Sequence, residues 1–166
     1  MSKKEVKNDM NMKEKVLEVL KGLGFQLEDL DGVAYGFGYE DKHFLYLPDN
    51  DDDSFLSIGV HLLPITGNLE HIPEEIVLAF NSAMKYVKVY KFFEGLWLFY
   101  EREMFEGENL DIVLRAMILH LEASIYHFKE VFPELFSEAD EDESEDENVD
   151  EDEDLEEKEE VEDEEA

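Results

Sequence analysis

The chain contains no cysteine, which excludes disulfides, thiolate metal sites and a cysteine nucleophile. It has only two arginines, Arg102 and Arg115, against 46 acidic residues, and its formal net charge is −32. Duplex binding needs clustered cations facing phosphates, so nucleic acid is not an expected direct partner. No apolar run approaches the roughly 18 residues that a membrane span requires, so no membrane partner is expected either. The opening residues MSKKEVKNDMNMKEKV carry charge but no apolar centre and do not read as a secretory signal. The expectation is a soluble protein of the cytoplasm. One further absence is local: residues 138–166 hold no aromatic side chain, and all 12 Phe, 7 Tyr and the single Trp lie before them.

The charge is as uneven as the aromatics. Residues 138–166 contain 21 acids and one lysine, which leaves a net −12 for everything before them. Aromatic-rich and mildly acidic sequence reads as folded; aromatic-free, strongly acidic sequence reads as disordered. The expected organisation is a flexible N-terminus over 1–10, a single α+β domain over 11–136 and a disordered acidic tail over 137–166.

Within the domain the hydrophobic period changes several times. Met12, Val16, Val19, Leu20 and Leu23 recur at three- and four-residue steps, giving a first helix from about Asn11 that Gly22 or Gly24 ends. From Phe25 the period changes to two: Val33, Tyr35, Phe37 and Tyr39 alternate with Ala34, Gly36 and Gly38, so one strand face is aromatic and the other nearly bare. A polar turn at Glu40–Lys42 leads to a strand over His43–Leu47, stopped by Pro48. Leu56, Ile58, Val60 and Leu62 form a third alternating strand beyond a polar loop at Asp49–Ser54. Pro73 is placed as a first helical residue, and Ile72, Ile76, Ala79, Phe80, Ala83 and Val87 give a second amphipathic helix. Lys88–Phe93 and Leu96–Glu103 flank the turn pair Glu94-Gly95 as a hairpin. A third helix runs from Leu110 to Phe132. The order helix, three strands, helix, two strands, helix predicts an antiparallel sheet with helices packed on it.

The third helix carries more than one apolar face. At 100° per residue, Asp111, Arg115, Glu122 and Lys129 share a charged stripe about 40° wide. Leu110, Leu114, Met117, Leu121, Phe128 and Phe132 form one apolar face; Ile112, Ala116, Leu119, Ala123 and Tyr126 form another. One face docks the helix on the sheet and the second needs a neighbour. Two neighbours are open: the first helix of the same chain, or a second copy in a homodimer, with Ala116 and Ala123 permitting close approach. A second candidate surface is the hairpin, where alternation puts Trp97, Phe99 and Glu101 on one side and Leu98, Tyr100 and Arg102 on the other. Aromatics on both sides leave one face for a partner or for a covering loop.

No catalytic, cofactor or metal site is expected. His120 and His127 are about 10.5 Å apart along a helix, too far to share an ion, and His43, His61 and His71 fall in other elements. The run Asp49–Ser54 opens like a calcium loop, but the sixth and twelfth places hold Ser54 and Val60 where glycine and glutamate are required. Gly36-Phe37-Gly38 lacks the third glycine and the following helix of a dinucleotide fingerprint. Its bare residues fit another element packing flat against the strand.

This layout resembles the type III secretion chaperone-like fold, which takes in the class I secretion chaperones and the YbjN-type proteins. The similar stretch runs from about Met12 to Leu135. It is carried by Gly24-Phe25 opening the strands, by Ile72-Pro73-Glu74-Glu75 starting the second helix, by the Lys88–Glu103 hairpin, and by the closing Val131-Phe132-Pro133-Glu134-Leu135. The resemblance implies a dimeric, nonenzymatic module that holds an extended segment of a polypeptide partner. The acidic tail and aromatic-heavy strands depart from the secretion chaperones. The expected function is therefore a protein-binding or chaperone-like module. A second reading makes the tail the functional part, shielding basic proteins or mimicking nucleic acid. A third, a small-molecule or enzymatic pocket, has no supporting constellation of residues.

Overall fold

Asn11 starts the first helix, α1 (Met12–Gly22), through a capping box: its side chain accepts from the Glu14 N–H at 2.9 Å, and the Glu14 carboxylate accepts from the Asn11 N–H at 3.2 Å. Asp53, far along the chain, accepts the next free donor, the Met12 N–H, at 2.6 Å. At the other end Gly24, with φ +94°, closes the helix: its N–H donates to the Lys21 carbonyl and the Phe25 N–H to the Leu20 carbonyl. That double bond pattern needs a left-handed residue, which glycine supplies at little steric cost. The structure is a computed structural model and describes residues 10–64 and 72–136. The expected tail over 137–166, most of the expected N-terminal segment and His71 lie outside the described residues.

Six strands form one antiparallel sheet: β1 (Glu28–Leu30), β2 (Ala34–Tyr39), β3 (Lys42–Tyr46), β4 (Phe55–Pro64), β5 (Val87–Phe92) and β6 (Gly95–Glu103), in the spatial order β1-β2-β3-β4-β6-β5. Two helices complete the described fold, α2 (Glu74–Ala83) between β4 and β5, and α3 (Leu110–Val131). The α+β architecture is the one that the sequence predicts, with one strand more. β1 is short and has no alternating apolar pattern; the turn behind it, Asp31-Gly32, has positive φ at both residues and is the signal that marks it. α2 ends at Ala83 rather than reaching Val87, because Val87 begins β5, where it is fully buried. The β5–β6 turn lies at Phe93-Glu94, one residue before the expected pair, with Gly95 paired to Phe92 inside the ladder.

One face of the sheet carries the main core. Tyr35, Phe37, Phe44, Tyr46, Leu56, Ile58, Val60 and Leu98 point to α1 and α3, where Val16, Leu20, Leu114, Met117, Leu121 and Phe128 meet them. Each such buried side chain contributes about 1.5–3 kcal/mol relative to exposure. At Val89 the outer edge of β5 is occupied by a side chain: Asn81 of α2 accepts from the Val89 N–H at 2.7 Å and donates to the Val89 carbonyl at 3.2 Å, as a neighbouring strand would. Lys88 fixes the same helix by donating to the carbonyls of Asn81 and Met84 at its C-terminus, where a cation is favoured.

Among the described residues no helix covers the other face, yet Ala34, Leu45, Trp97 and Phe99 on it are buried. Glycines make this possible. Gly59 pairs with Phe99 across β4 and β6, and a Cβ on Gly59 would lie 2.4 Å from the Phe99 ring. Gly95 has the same relation to Trp97 and His61, whose rings come within 3 Å of its missing Cβ. The bare residues that the sequence places on β2 are looser: a Cβ on Gly36 would only touch Leu45 at 3.8 Å. Replacing Gly59 by Ala is expected to destabilise the fold by about 2 kcal/mol through overpacking. Urea unfolding followed by the fluorescence of Trp97 measures this; an unchanged midpoint would show that the Phe99 ring does not depend on that space.

Candidate interaction surfaces

The capped start of α3 fixes how the helix is turned. Asn109 accepts from the N–H groups of Asp111 and Ile112, and from there Leu114, Met117, Leu121 and Phe128 face the sheet as the sequence predicts. The buried face is wider than the alternation gave, because Val113, Ile118, Ser124 and Ile125 also join it. The Ser124 hydroxyl is satisfied at 2.7 Å by the His120 carbonyl one turn back.

The second apolar face remains open. Ile112 is 64 % exposed, Leu119 57 % and Tyr126 58 %, with Ala116 and Ala123 also exposed between them. α1 does pack against α3, but it does not cover these residues. Beside the seam, a cavity of about 320 Å³ lies between Phe25, Tyr39, Ile118 and Leu119, with Arg115 at its rim. The charged stripe borders the seam. The Arg115 Nε–H donates to Asp111 at 2.9 Å, and the Lys42 ammonium sits 3.6 Å from Glu122 and 5.8 Å from the centre of the Tyr126 ring. An exposed i,i+4 pair such as Arg115–Asp111 is worth only about 0.5 kcal/mol, so it yields readily to a better partner.

The hairpin residues separate as the alternation predicts. Trp97 and Phe99 lie on the helix-free face, 8 % and 3 % exposed, with Phe92 edge-on to both. Tyr90 rests against Phe99, and Phe93 stands exposed at the turn. Tyr100 faces the other way, stacked on Tyr86 and edge-on to His120. The aromatic layer is thus mostly closed by its own members, and its accessible parts are Tyr90 and Phe93.

Polar groups collect at one corner of this layer. Trp97 Nε1 is the one buried side-chain polar atom among the described residues without a hydrogen-bond partner, and the His61 ring packs against it at 5.1 Å. With His43, Glu28, Leu45 and Phe93 they line an open depression of about 320 Å³. Among the described residues no three His, Asp or Glu side chains converge as metal ligands. His120 and His127 are both exposed, each resting against an aromatic ring, Tyr100 and Phe80 respectively. The loop Asp49–Ser54 turns its carboxylates inward: Asp49 accepts from the N–H groups of Asp51 and Asp52, and Asp52 accepts from Ser54. Those bonds to Ser54 hold the Asp52 carboxyl below its usual range. Among the described residues no helix is long and apolar enough to cross a membrane.

Burial, and then the nearby charge of His43, lower the pKa of His61, against a backbone hydrogen bond at Leu63 that favours the proton. Because the unfolded chain binds this proton at about pH 6.5 and the folded chain only below it, folding loses stability as pH falls through that interval. His43→Gln is expected to raise the His61 pKa part of the way back, since burial remains; NMR titration of the imidazole resonances reads this, and an unmoved His61 would remove His43 as a cause. Set against protein-family models and curated proteins, the sequence matches none of them.

Proposed function

We propose that this chain is a nonenzymatic, chaperone-like module of the cytoplasm that binds a polypeptide partner and works as a homodimer, as the likeness to the type III secretion chaperone-like fold implies. The observation that carries the reading is the open seam of α3. Three of the four exposed large apolar residues of α3 fall on one line, Ile112, Leu119 and Tyr126 at seven-residue intervals, with Val131 at the last turn apart from them. Aligned apolar exposure of this kind marks an interaction surface. The seam takes the second copy, and the accessible aromatics of the β5–β6 hairpin, Tyr90 and Phe93 beside buried Trp97 and Phe99, take the client segment.

A second reading rests on charge. The 21 acids of residues 138–166 attract a basic protein, or mimic nucleic acid toward one, by a long-range force that raises association rates and fades with salt. The two readings separate in one experiment. Capture of partners from the native host at low and high salt, with the full chain and with residues 138–166 deleted, is expected to retain the client in every condition if the folded surfaces hold it. Loss of all partners on tail deletion would favour the polyanion reading. A Phe93→Asp variant is expected to lose the client in either form of the chain; full retention by that variant would remove the hairpin from the binding surface.

A further inference from the structure

The seam on α3 alternates large and small residues in a fixed order: Ile112, Ala116, Leu119, Ala123, Tyr126. Steps of four and three keep all five on one line of the helix, about 21 Å long from Ile112 to Tyr126. All five are exposed in the single chain. A helix surface of this shape has ridges at the large residues and hollows at the alanines, and it fits best against a surface with the opposite order.

A second copy running antiparallel provides that order. We infer that two copies of the chain pair through α3 in antiparallel fashion about a two-fold axis between Ala116 and Leu119. In that register Ile112 lies over the partner's Ala123 and Leu119 over the partner's Ala116, and the symmetry repeats both contacts. Ile112 and Leu119 each meet a hollow, while Tyr126 reaches the capped start of the partner's helix, so the helices approach to about 8 Å at the centre of the seam, the short end of the helix-packing range. A parallel, in-register pair is the competing arrangement. It sets isoleucine against isoleucine and leucine against leucine, with alanine facing alanine between them, and leaves gaps at both alanine layers.

Charge points the same way. Arg115 and Glu122 border the seam on one flank, seven residues apart. Antiparallel pairing brings Arg115 beside the partner's Glu122, and its two-fold repeats the pair, giving two ion pairs across the axis. Parallel pairing keeps these two side chains at different heights, each beside a histidine-bearing flank. Among the described residues Arg115 pairs with Asp111 and Glu122 with Lys42, in exposed and partly exposed pairs respectively, so both can turn to the new partner. A seam of this length buries less than a standard interface, and the pair is expected to be in the micromolar range. The inference rests on the self-association proposed above and adds its direction, register and charge pairs.

The absence of cysteine from the chain makes the test direct. Ile112→Cys and Ala123→Cys are prepared as separate full-length variants, both at exposed positions, so neither removes a core side chain. Under mild oxidation the mixture of the two is expected to form a cross-linked dimer, while each alone does not. In the antiparallel register two copies of one variant place their cysteines about 16 Å apart along the axis, beyond the roughly 7 Å that a disulfide spans. Sedimentation velocity of the unmodified chain is read alongside. A dimer in which each variant cross-links with itself would overturn the antiparallel register and leave self-association standing. A chain that stays monomeric at tens of micromolar, with no cross-link in any mixture, would overturn both. A second pair of variants reads the charges: Arg115→Glu and Glu122→Arg are each expected to weaken the dimer about tenfold, and the doubly reversed chain to recover it to within about threefold. Failure of the double reversal to recover would remove the ion pairs from the proposal.

Discussion

A β-sheet has two faces, and the described part of this chain supplies helices for only one of them. Most of the architecture follows from how the second face is closed without a second helical layer. β4 and β6 run side by side and carry glycine where an aromatic ring must lie. Phe99 therefore lies across Gly59 rather than standing away from the sheet, and Trp97 lies across the backbone near Gly95. Flat rings cover more backbone than upright ones, and Phe92 closes the layer edge-on. The consequence is a thin second core next to the thick one, in which Ala34 and Leu45 are as buried as residues under α3.

With that face self-closed, the helices are free for other duties. α3 is held to the sheet by a broad stripe from Val113 to Phe128, and the main core needs nothing from its outer side. An apolar outer side on so well anchored a helix is therefore not explained by folding. Its exposed Ile112, Leu119 and Tyr126 each forgo about 1–2 kcal/mol of burial in the single chain. Rigid anchoring also suits a contact surface, since little ordering is left to be done when a partner arrives.

Much of this could be read from the residues. The two faces of α3, the bare and aromatic faces of β2 and the Asn11 start of α1 follow from periodicity and capping, which are local rules. What escaped reading was nonlocal. β1 has three residues and no pattern of its own; it forms because Asp31-Gly32 folds it back onto β2. The limit of α2 depends on Val87 being claimed by the sheet instead of the helix, although the helical spacing admits it. The importance of Gly59 lies in the Phe99 ring opposite it, which strand register sets, and that of Gly95 in the rings of Trp97, two residues on, and of His61 on β4. Gly36 and Gly38 looked more conspicuous in sequence and are less crowded in space. The open seam was visible as a second apolar face, but only the three-dimensional arrangement decided that α1 leaves it bare.

The amide of Asn81 beside Val89 has an effect beyond its own hydrogen bonds. A sheet with a free outer edge can recruit the edge of another molecule, and that molecule offers a further edge in turn, so growth has no natural end. Here one border of the sheet is occupied by a side chain and the opposite border, β1, is only three residues long. Head-to-edge growth finds little to hold. A self-complementary helix face, by contrast, is used up when two copies meet on it. If copies pair through α3 as inferred above, that contact closes on itself, and the described borders of the sheet give a growing fibre little to hold.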